Sequence, residues 1–324
     1  MAISRVKIND FLVFKGNFEA KFCSGVNVII GGNGTGKTTV MKVMYASKDI
    51  AGNRPFALES VNLGEYFNTT MMMKVFDDWS NVRFFNNDIF YKSEEEIGFE
   101  TNDDYYEGLN NLDPQIVVEC NGGYSDTVFI PSMEILSHAK GLLALYHDRE
   151  ISFDKAEINL LVKAEKGAKR EVSNLANRIL SKLSSIMGGE IVYKNGDFFV
   201  DRKGIGEIKF SLEASGYRKL GLLWKLLRNG IFEKDSILFW DELENSLNPE
   251  IVPVLVDILL ELTQSGVQIF IATHDYNLAR YFDVRKNKDI PVMFHNFSKD
   301  NDGQISCVSS GEYMKIPNNL METT

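Results

Sequence analysis

The run Gly31-Gly32-Asn33-Gly34-Thr35-Gly36-Lys37-Thr38-Thr39 constrains the fold of this chain more than any other feature. It fits the spacing G-x-x-x-x-G-K-[ST], in which the main chain wraps a polyphosphate with its N–H groups pointing inward and glycines leave room for the approach. Lys37 then serves the β- and γ-phosphates as a point charge, and the Thr38 hydroxyl ligates Mg²⁺. Gly31, Asn33, Gly34, Thr35, Gly36 and Thr39 complete the predicted binding set. Such a loop needs a strand before it and a helix after it. Val26, Val28, Ile29 and Ile30 predict a buried strand, and Thr39 to Met44 predict the helix whose N-terminus holds the anion.

A phosphate loop names no activity, and the downstream sequence narrows it. Ile237-Leu238-Phe239-Trp240-Asp241-Glu242 is an apolar run too short for a typical helix, ending in two acids. A buried parallel strand opening on a ligand crevice has this form. Asp241 is then the expected second Mg²⁺ residue and Glu242 the residue that polarises an attacking water. A second apolar run, Val267 to Ala272, ends in Thr273-His274-Asp275, carrying one of only four histidines. Alone, His274 reads as a cap of the next helix; with the other pieces it reads as a partner for a γ-phosphate oxygen or the attacking water. Ser215-Gly216 opens a helix carrying Leu220, Leu222, Leu223, Leu226 and Leu227. Taken alone this is an ordinary N-cap, but a hydroxyl beside the positive end of a helix is also an anion site.

In that order, phosphate loop, Ser-Gly helix, Asp-Glu strand and Thr-His strand resemble the ATP-binding-cassette (ABC) ATPase head. Ile8 to Phe14 followed by Gly25 to Gly31 is similar to RecF and SMC-type heads. Within that group the chain resembles the OLD-like (overcoming lysogenisation defect) AAA family ATP-binding proteins, many of them bacterial anti-phage components. Phe129-Ile130-Pro131-Ser132-Met133-Glu134 looks like the strand end where such heads carry a Q-loop, with Glu134 as the nearest polar residue or else a first-turn acid beside a helix dipole. Asp241 to Pro249 resembles the acidic strand plus D-loop, Asn248 standing where transporter cassettes have Asp. Asn248 also precedes Pro249 as an N-cap precedes an N1 proline. The resemblance implies ATP and Mg²⁺ as ligands, and a homodimer or higher oligomer in which Ser215 and Gly216 of one subunit complete the γ-phosphate site of the other.

The expected fold is α/β, a P-loop NTPase of ABC type. Its mixed sheet has helices on both faces, an antiparallel β-lobe and a short helical insertion. One ATPase domain spans 1–324, with a phosphate-loop part at about 1–50 and a C-terminal part at about 190–315, interrupted by an insertion at about 51–189. Inside that insertion little structure is assigned from 52 to 112. A hairpin is expected from Gln115 to Cys120 and Asp126 to Ile130 around Asn121-Gly122-Gly123, then a helical stretch from Met133 to Met187 broken near Gly167. A second hairpin turns at Asn195-Gly196 and a last one at Asp302-Gly303. The tail from Pro317 reads as frayed. The helices are too short, and lack the sustained heptads, for an SMC-type coiled coil.

Composition sets the remaining limits. The 324 residues are 44% hydrophobic, enough for a large core. Cys23, Cys120 and Cys307 lie far apart, which suits a reducing compartment and offers no disulfide framework or zinc site. No apolar stretch approaches the ~20 residues of a membrane span, and no signal-peptide pattern opens the chain, so a cytoplasmic protein is expected. A net charge of −10, from 35 basic and 45 acidic residues, argues against a surface built wholly for nucleic acid. It leaves room for a local basic groove, and Lys163, Lys166, Lys169, Arg170 and Arg178 on a predicted helix are the best cluster for one, or else a solvated face. No second acidic metal constellation follows the His274 strand, so nuclease or toxin chemistry is expected on a separate effector. The leading expectation is an ATPase that regulates or senses for that effector in phage defence. A RecF/SMC-like DNA-repair ATPase would show salt-dependent DNA binding; a non-hydrolysing nucleotide-dependent scaffold would dimerise with ATP and barely turn it over.

Overall fold

The structure, a computed structural model, describes residues 2–53, 61–62, 66, 72–75, 81–85, 116–121, 126–149 and 154–317. The chain opens with an antiparallel pair, β1 (Ala2–Phe11) and β2 (Phe14–Lys21), and β3 (Val26–Gly31) then enters the centre. The phosphate loop leads into α1 (Lys37–Asn53). Next come β4 (Val61–Asn62), β5 (Met72–Val75), β6 (Asn81–Phe85), β7 (Ile116–Asn121) and β8 (Thr127–Ile130). Helices α2 (Leu142–Arg149), α3 (Lys155–Glu165) and α4 (Asn174–Met187) follow. A three-stranded antiparallel sheet of β9 (Glu190–Lys194), β10 (Asp197–Arg202) and β11 (Gly206–Lys209) precedes α5 (Ser215–Arg228). The remainder alternates: β12 (Ile237–Asp241), α6 (Val252–Thr263), β13 (Gln268–Thr273), α7 (Tyr276–Arg285), β14 (Val292–Lys299) and β15 (Ile305–Ser310).

The central sheet has the order β15-β14-β3-β13-β12-β8, parallel throughout except for the edge strand β15. Every residue of β3, β8, β12 and β13 is buried, because helices or a second sheet cover both faces. Alternation divides the apolar residues between two cores. Val28, Leu238, Trp240, Ile269 and Ile271 face the layer built by α3 to α7. Ile29, Ile237, Phe239, Phe270 and Ala272 face α1 and the antiparallel lobe. That lobe is a second sheet, β2-β1-β7-β6-β5-β4. The expected α/β fold with a mixed sheet, helices on both faces and an antiparallel β-lobe is the observed one.

Two expected hairpins are present. Asn195 and Gly196 both take positive φ, 54° and 75°, as a tight turn between β9 and β10 requires. β14 and β15 turn around Asp302-Gly303. The hairpin expected around Asn121-Gly122-Gly123 is not formed. β7 pairs with β1 and β6 in the lobe, while β8 pairs in parallel with β12 in the central sheet. The four apolar or β-branched residues Thr127 to Ile130 are buried on both faces, which a two-stranded hairpin cannot provide. Strands β7 and β8 thus both lie within 51–189 and pair with strands from outside it.

The predicted helical stretch resolves into α2, α3 and α4, with a non-helical segment at 166–173 enclosing Gly167. α6 starts at Val252 with Ile251 as its N-cap, so Asn248 is not the cap before an N1 proline. Its side chain instead accepts from the Glu250 N–H at 3.1 Å, closing a turn just ahead of the helix. Residues 318–324 of the expected frayed tail, and most of 52–112, lie outside the described residues.

Candidate functional site

The carboxyl ends of β3, β12 and β13 are adjacent in the parallel sheet, and the predicted site residues other than Ser215 and Gly216 stand at these ends or just after them. At the end of β3 the main chain turns tightly enough to exclude a side chain at Gly31 and Gly36. A Cβ on Gly36, whose φ is 83°, would sit 2.3 Å from the Phe14 ring, and one on Gly31 would sit 2.5 Å from the Phe297 carbonyl oxygen. The Thr35 hydroxyl closes the loop on the Gly32 carbonyl at 2.9 Å. Lys37 folds its buried stem back so that Nζ donates to the carbonyls of Gly31 and Gly32, each at 2.9 Å. Burial pulls its proton affinity down, opposed by Asp241, Glu242 and Glu244. Asn33, Gly34 and Thr38 are exposed and Thr39 is half-buried on the first turn of α1, which carries no acid there.

Thr38 and Asp241 are 203 residues apart in sequence, yet the Thr38 hydroxyl donates to Asp241 Oδ2 at 2.8 Å. Burial pushes the Asp241 carboxyl up, with the Thr38 hydrogen bond acting against it. Two hard oxygen donors side by side, facing a buried ammonium, fit an octahedral cation that keeps most of its waters. Among the described residues no group of three or more His, Cys, Asp or Glu side chains is placed to hold a metal by itself.

Glu242 follows Asp241 in a left-handed conformation, φ 46°. Its N–H donates to the Ala272 carbonyl at 3.0 Å, continuing the ladder between β12 and β13. Its carboxylate comes within 3.7 Å of His274 Nδ1. The predicted pair is therefore brought together. His274 is not the cap of α7. Asp275 is, accepting from the N–H groups of Asn277 and Leu278.

Ser215 is not an N-cap either. It is the first helical residue of α5, the cap position belongs to Ala214, and the Ser215 hydroxyl makes no hydrogen bond among the described residues. Gly216 packs against the turn after β12, where a Cβ would lie 3.1 Å from the Ser246 carbonyl oxygen. Ser215 and Gly216 thus sit beside the D-loop-like segment. Glu134 is committed elsewhere: it accepts from the Ser137 N–H at 3.1 Å and pairs with Arg218 of α5 at 3.3 Å. The basic cluster is only partly free: Lys166 and Arg170 are exposed, and the other three residues are engaged. Lys163 on α3 donates to the Thr127 carbonyl, Lys169 pairs with Glu233 in the non-helical segment, and Arg178 on α4 pairs with Glu261.

Two residues here escaped the sequence reading. Lys219, one turn into α5, is buried and donates through Nζ to the Glu242 carbonyl at 3.0 Å. Burial lowers its proton affinity to about 8, against the raising effect of Glu244, Glu242 and Asp241. Glu244 accepts from the Thr273 hydroxyl at 2.7 Å and the His274 N–H at 3.1 Å. A polar residue amid the leucines of α5 was the available signal for the first, and acid-x-acid spacing after Glu242 for the second.

With this geometry established, comparison with known proteins places it. Residues 128–280 match the family model described as "AAA domain, putative AbiEii toxin, Type IV TA system". Comparison with curated proteins gives no match. Among solved structures the chain is similar to an SMC head bound to the C-terminal winged-helix domain of ScpA, with 16% identity and TM-score 0.51, covering 98% of this chain and 100% of that one. It is also similar to the SMC head domain from Thermotoga maritima, with 15% identity and TM-score 0.46 over 96% and 99% of the two chains. A nucleotide-free ATP-binding cassette from an ABC transporter gives 14% identity and TM-score 0.41, covering 94% of this chain and 90% of that one. The fold is that of an SMC head.

Proposed function

We propose that this head binds ATP with Mg²⁺ and hydrolyses it at a site completed by a second copy of the chain, and that the cycle governs a separate effector. The observation that carries the first part is the convergence of Lys37, Thr38, Asp241, Glu242 and His274 at the carboxyl ends of neighbouring strands. The loop's N–H groups and Lys37 bind the β- and γ-phosphates, and Lys37 must exchange its two carbonyl partners for phosphate oxygens. Thr38 and Asp241 would hold Mg²⁺, which offsets charge on the phosphates. Glu242 accepts a proton from the attacking water, and His274, beside it, donates to or orients the same water or the γ-phosphate oxygen.

The in-trans completion is supported by Ser215. Its hydroxyl has no hydrogen-bond partner among the described residues, it stands on the first turn of a fourteen-residue helix without first-turn acids, and Gly216 adjoins the turn that follows the acidic strand. A γ-phosphate from a facing subunit would meet that hydroxyl and the helix dipole. Dimeric cassettes and SMC heads bound to ScpA are known among proteins of this fold. Phage defence is the role we favour, with a nuclease or toxin as effector, because the matched family model carries a toxin–antitoxin description. DNA binding is the less favoured reading: of the five lysines and arginines nominated for it, Lys163, Lys169 and Arg178 are engaged by other groups of the chain. Among the described residues no helix is long and apolar enough to cross a membrane.

The test is phosphate release by the purified protein, with light scattering in the presence and absence of ATP. Turnover together with an ATP-dependent rise in mass is expected. ATP binding with neither turnover nor a change in mass would overturn the proposal.

A further inference from the structure

Glu242 and His274 stand on separate loops, and both are exposed enough to be mobile unless something behind them fixes their main chains. Their supports come from two buried, oppositely charged side chains. From the side of α5, Lys219 Nζ donates to the Glu242 carbonyl, which also accepts from the Asn245 N–H at 3.0 Å. Glu242 is a non-glycine residue with φ 46°, a conformation that costs about 1 kcal/mol or more and persists only where the surroundings hold it. From the side of β13, Glu244 takes the Thr273 hydroxyl and the His274 N–H on one carboxylate oxygen. His274 Nδ1 also lies 3.5 Å from that oxygen.

The same two residues answer each other electrostatically. The second Glu244 oxygen is buried and makes no hydrogen bond among the described residues. Lys219 is 3% exposed and forms no ion pair there either, although Glu244 is the largest charge acting on it. A buried, half-satisfied carboxylate facing a buried ammonium is costly for stability. Such an arrangement is expected where fixing a geometry outweighs it.

We infer that Lys219 and Glu244 are the positioning residues of this site: Lys219 fixes the Glu242 main chain from the Ser215 helix, and Glu244 fixes His274, so that the two reactive side chains face each other. The inference rests on the hydrolytic reading of Glu242 and His274. Neither residue touches the phosphates; both act through others.

Two readouts test it. The first is steady-state hydrolysis by the full chain. Glu244→Ala and Lys219→Met are each expected to lower kcat by about 10²-fold, as a misplaced reactive group does, with KM within about two-fold of wild type. Glu244→Gln keeps an acceptor for Thr273 and the His274 N–H and is expected to recover most of the loss. In a Glu242→Gln background neither Glu244→Ala nor Lys219→Met should lower kcat much further, because both act through the same constellation. The second readout is hydrogen exchange over residues 272–278. Protection of the His274 amide should fall in Glu244→Ala and persist in Glu244→Gln, whether or not ATP is turned over. Wild-type turnover with a slow Glu242→Gln but unimpaired Glu244→Ala and Lys219→Met overturns this inference alone. Losses that multiply with that of Glu242→Gln, or unchanged exchange in Glu244→Ala, also overturn it. Absence of hydrolysis by the wild type overturns the hydrolytic reading and the inference with it.

Discussion

The central sheet buries polar side chains in two places, and they are treated in opposite ways. Near the amino ends of its strands Gln268, Asn27 and His295 are satisfied. Gln268 accepts from the Ile3 N–H and donates to the carbonyls of Ile3 and Cys23, tying β13 to the antiparallel lobe. Asn27 exchanges two hydrogen bonds with the Cys23 main chain, and His295 lies between Asn27 and Ser309. Burial pushes that imidazole down to about 3, so it is neutral at pH 7. At the carboxyl ends the reverse holds. Lys37 is parked on two carbonyls, Glu242 has a left-handed main chain, and among the described residues one Glu244 oxygen and the Ser215 hydroxyl have no hydrogen-bond partner. The same layer of the molecule thus contains polar groups that hold the fold and, on the proposed reading, polar groups left for a ligand.

Substitutions at the two ends should therefore fail differently. The largest effect is expected from Lys37→Ala, which should abolish binding of a fluorescent ATP analogue while leaving the thermal midpoint near that of wild type. No other cation in the loop can serve the phosphates, so undiminished affinity would remove the phosphate-loop assignment. Glu242→Gln comes next. It should keep ATP binding, slow hydrolysis by roughly 10²–10⁴-fold and accumulate an ATP-bound dimer. Wild-type turnover in this variant would move the general base to His274 or elsewhere.

At the amino ends the loss should appear in stability instead. Gln268→Leu strands the buried N–H and C=O of Ile3 and should cost about 2–4 kcal/mol in a urea titration, with ATP affinity at 25 °C unchanged. An unaltered midpoint would mean that the lobe is held by its apolar contacts alone.

The smallest effect has a distinctive sign. Lys219 has a proton affinity of about 8 in the folded chain against 10.5 for an ordinary lysine. Between those values the unfolded chain holds more protons, so the folded state gains stability as pH rises from about 8 to 10.5 and loses it as pH falls again. Lys219→Met removes this dependence and should be neutral or more stable by about 1 kcal/mol at pH 7. The difference between wild type and variant isolates Lys219 from other groups titrating there. A wild-type advantage that grows as pH falls through 8 would show that its charge stabilises the fold.

How much of this was legible in advance follows from the range of each signal. The phosphate loop, the turn at Asn195-Gly196 and the strand Ile237 to Asp241 are local patterns of residue type, and each was read at its observed place. Strand partners are not local. Asn121-Gly122-Gly123 carries hairpin chemistry, but β7 finds β1 from more than a hundred residues away and β8 finds β12. Capping failed similarly: Ala214 occupies the cap that Ser215 was offered, and the Asn248 side chain closes a turn instead of starting a helix. Lys219 and Glu244 carried only weak sequence signals, because their meaning lies in what they touch. A lysine in a leucine-rich helix declares itself only once Glu242 is seen beside it.

The central claim is that two chains share each catalytic site, and mixed subunits test it most directly. Ser215→Arg places a bulky cation where the neighbour's γ-phosphate would lie, so it should bind ATP as a monomer but neither dimerise nor hydrolyse. Lys37→Ala should fail for lack of bound nucleotide. A heterodimer of the two has one composite site with both defects and one with neither, so hydrolysis should return on mixing and be greatest near equal proportions. If the mixture stays inactive while Ser215→Arg alone hydrolyses ATP at the wild-type rate, each head works by itself and the shared site is contradicted.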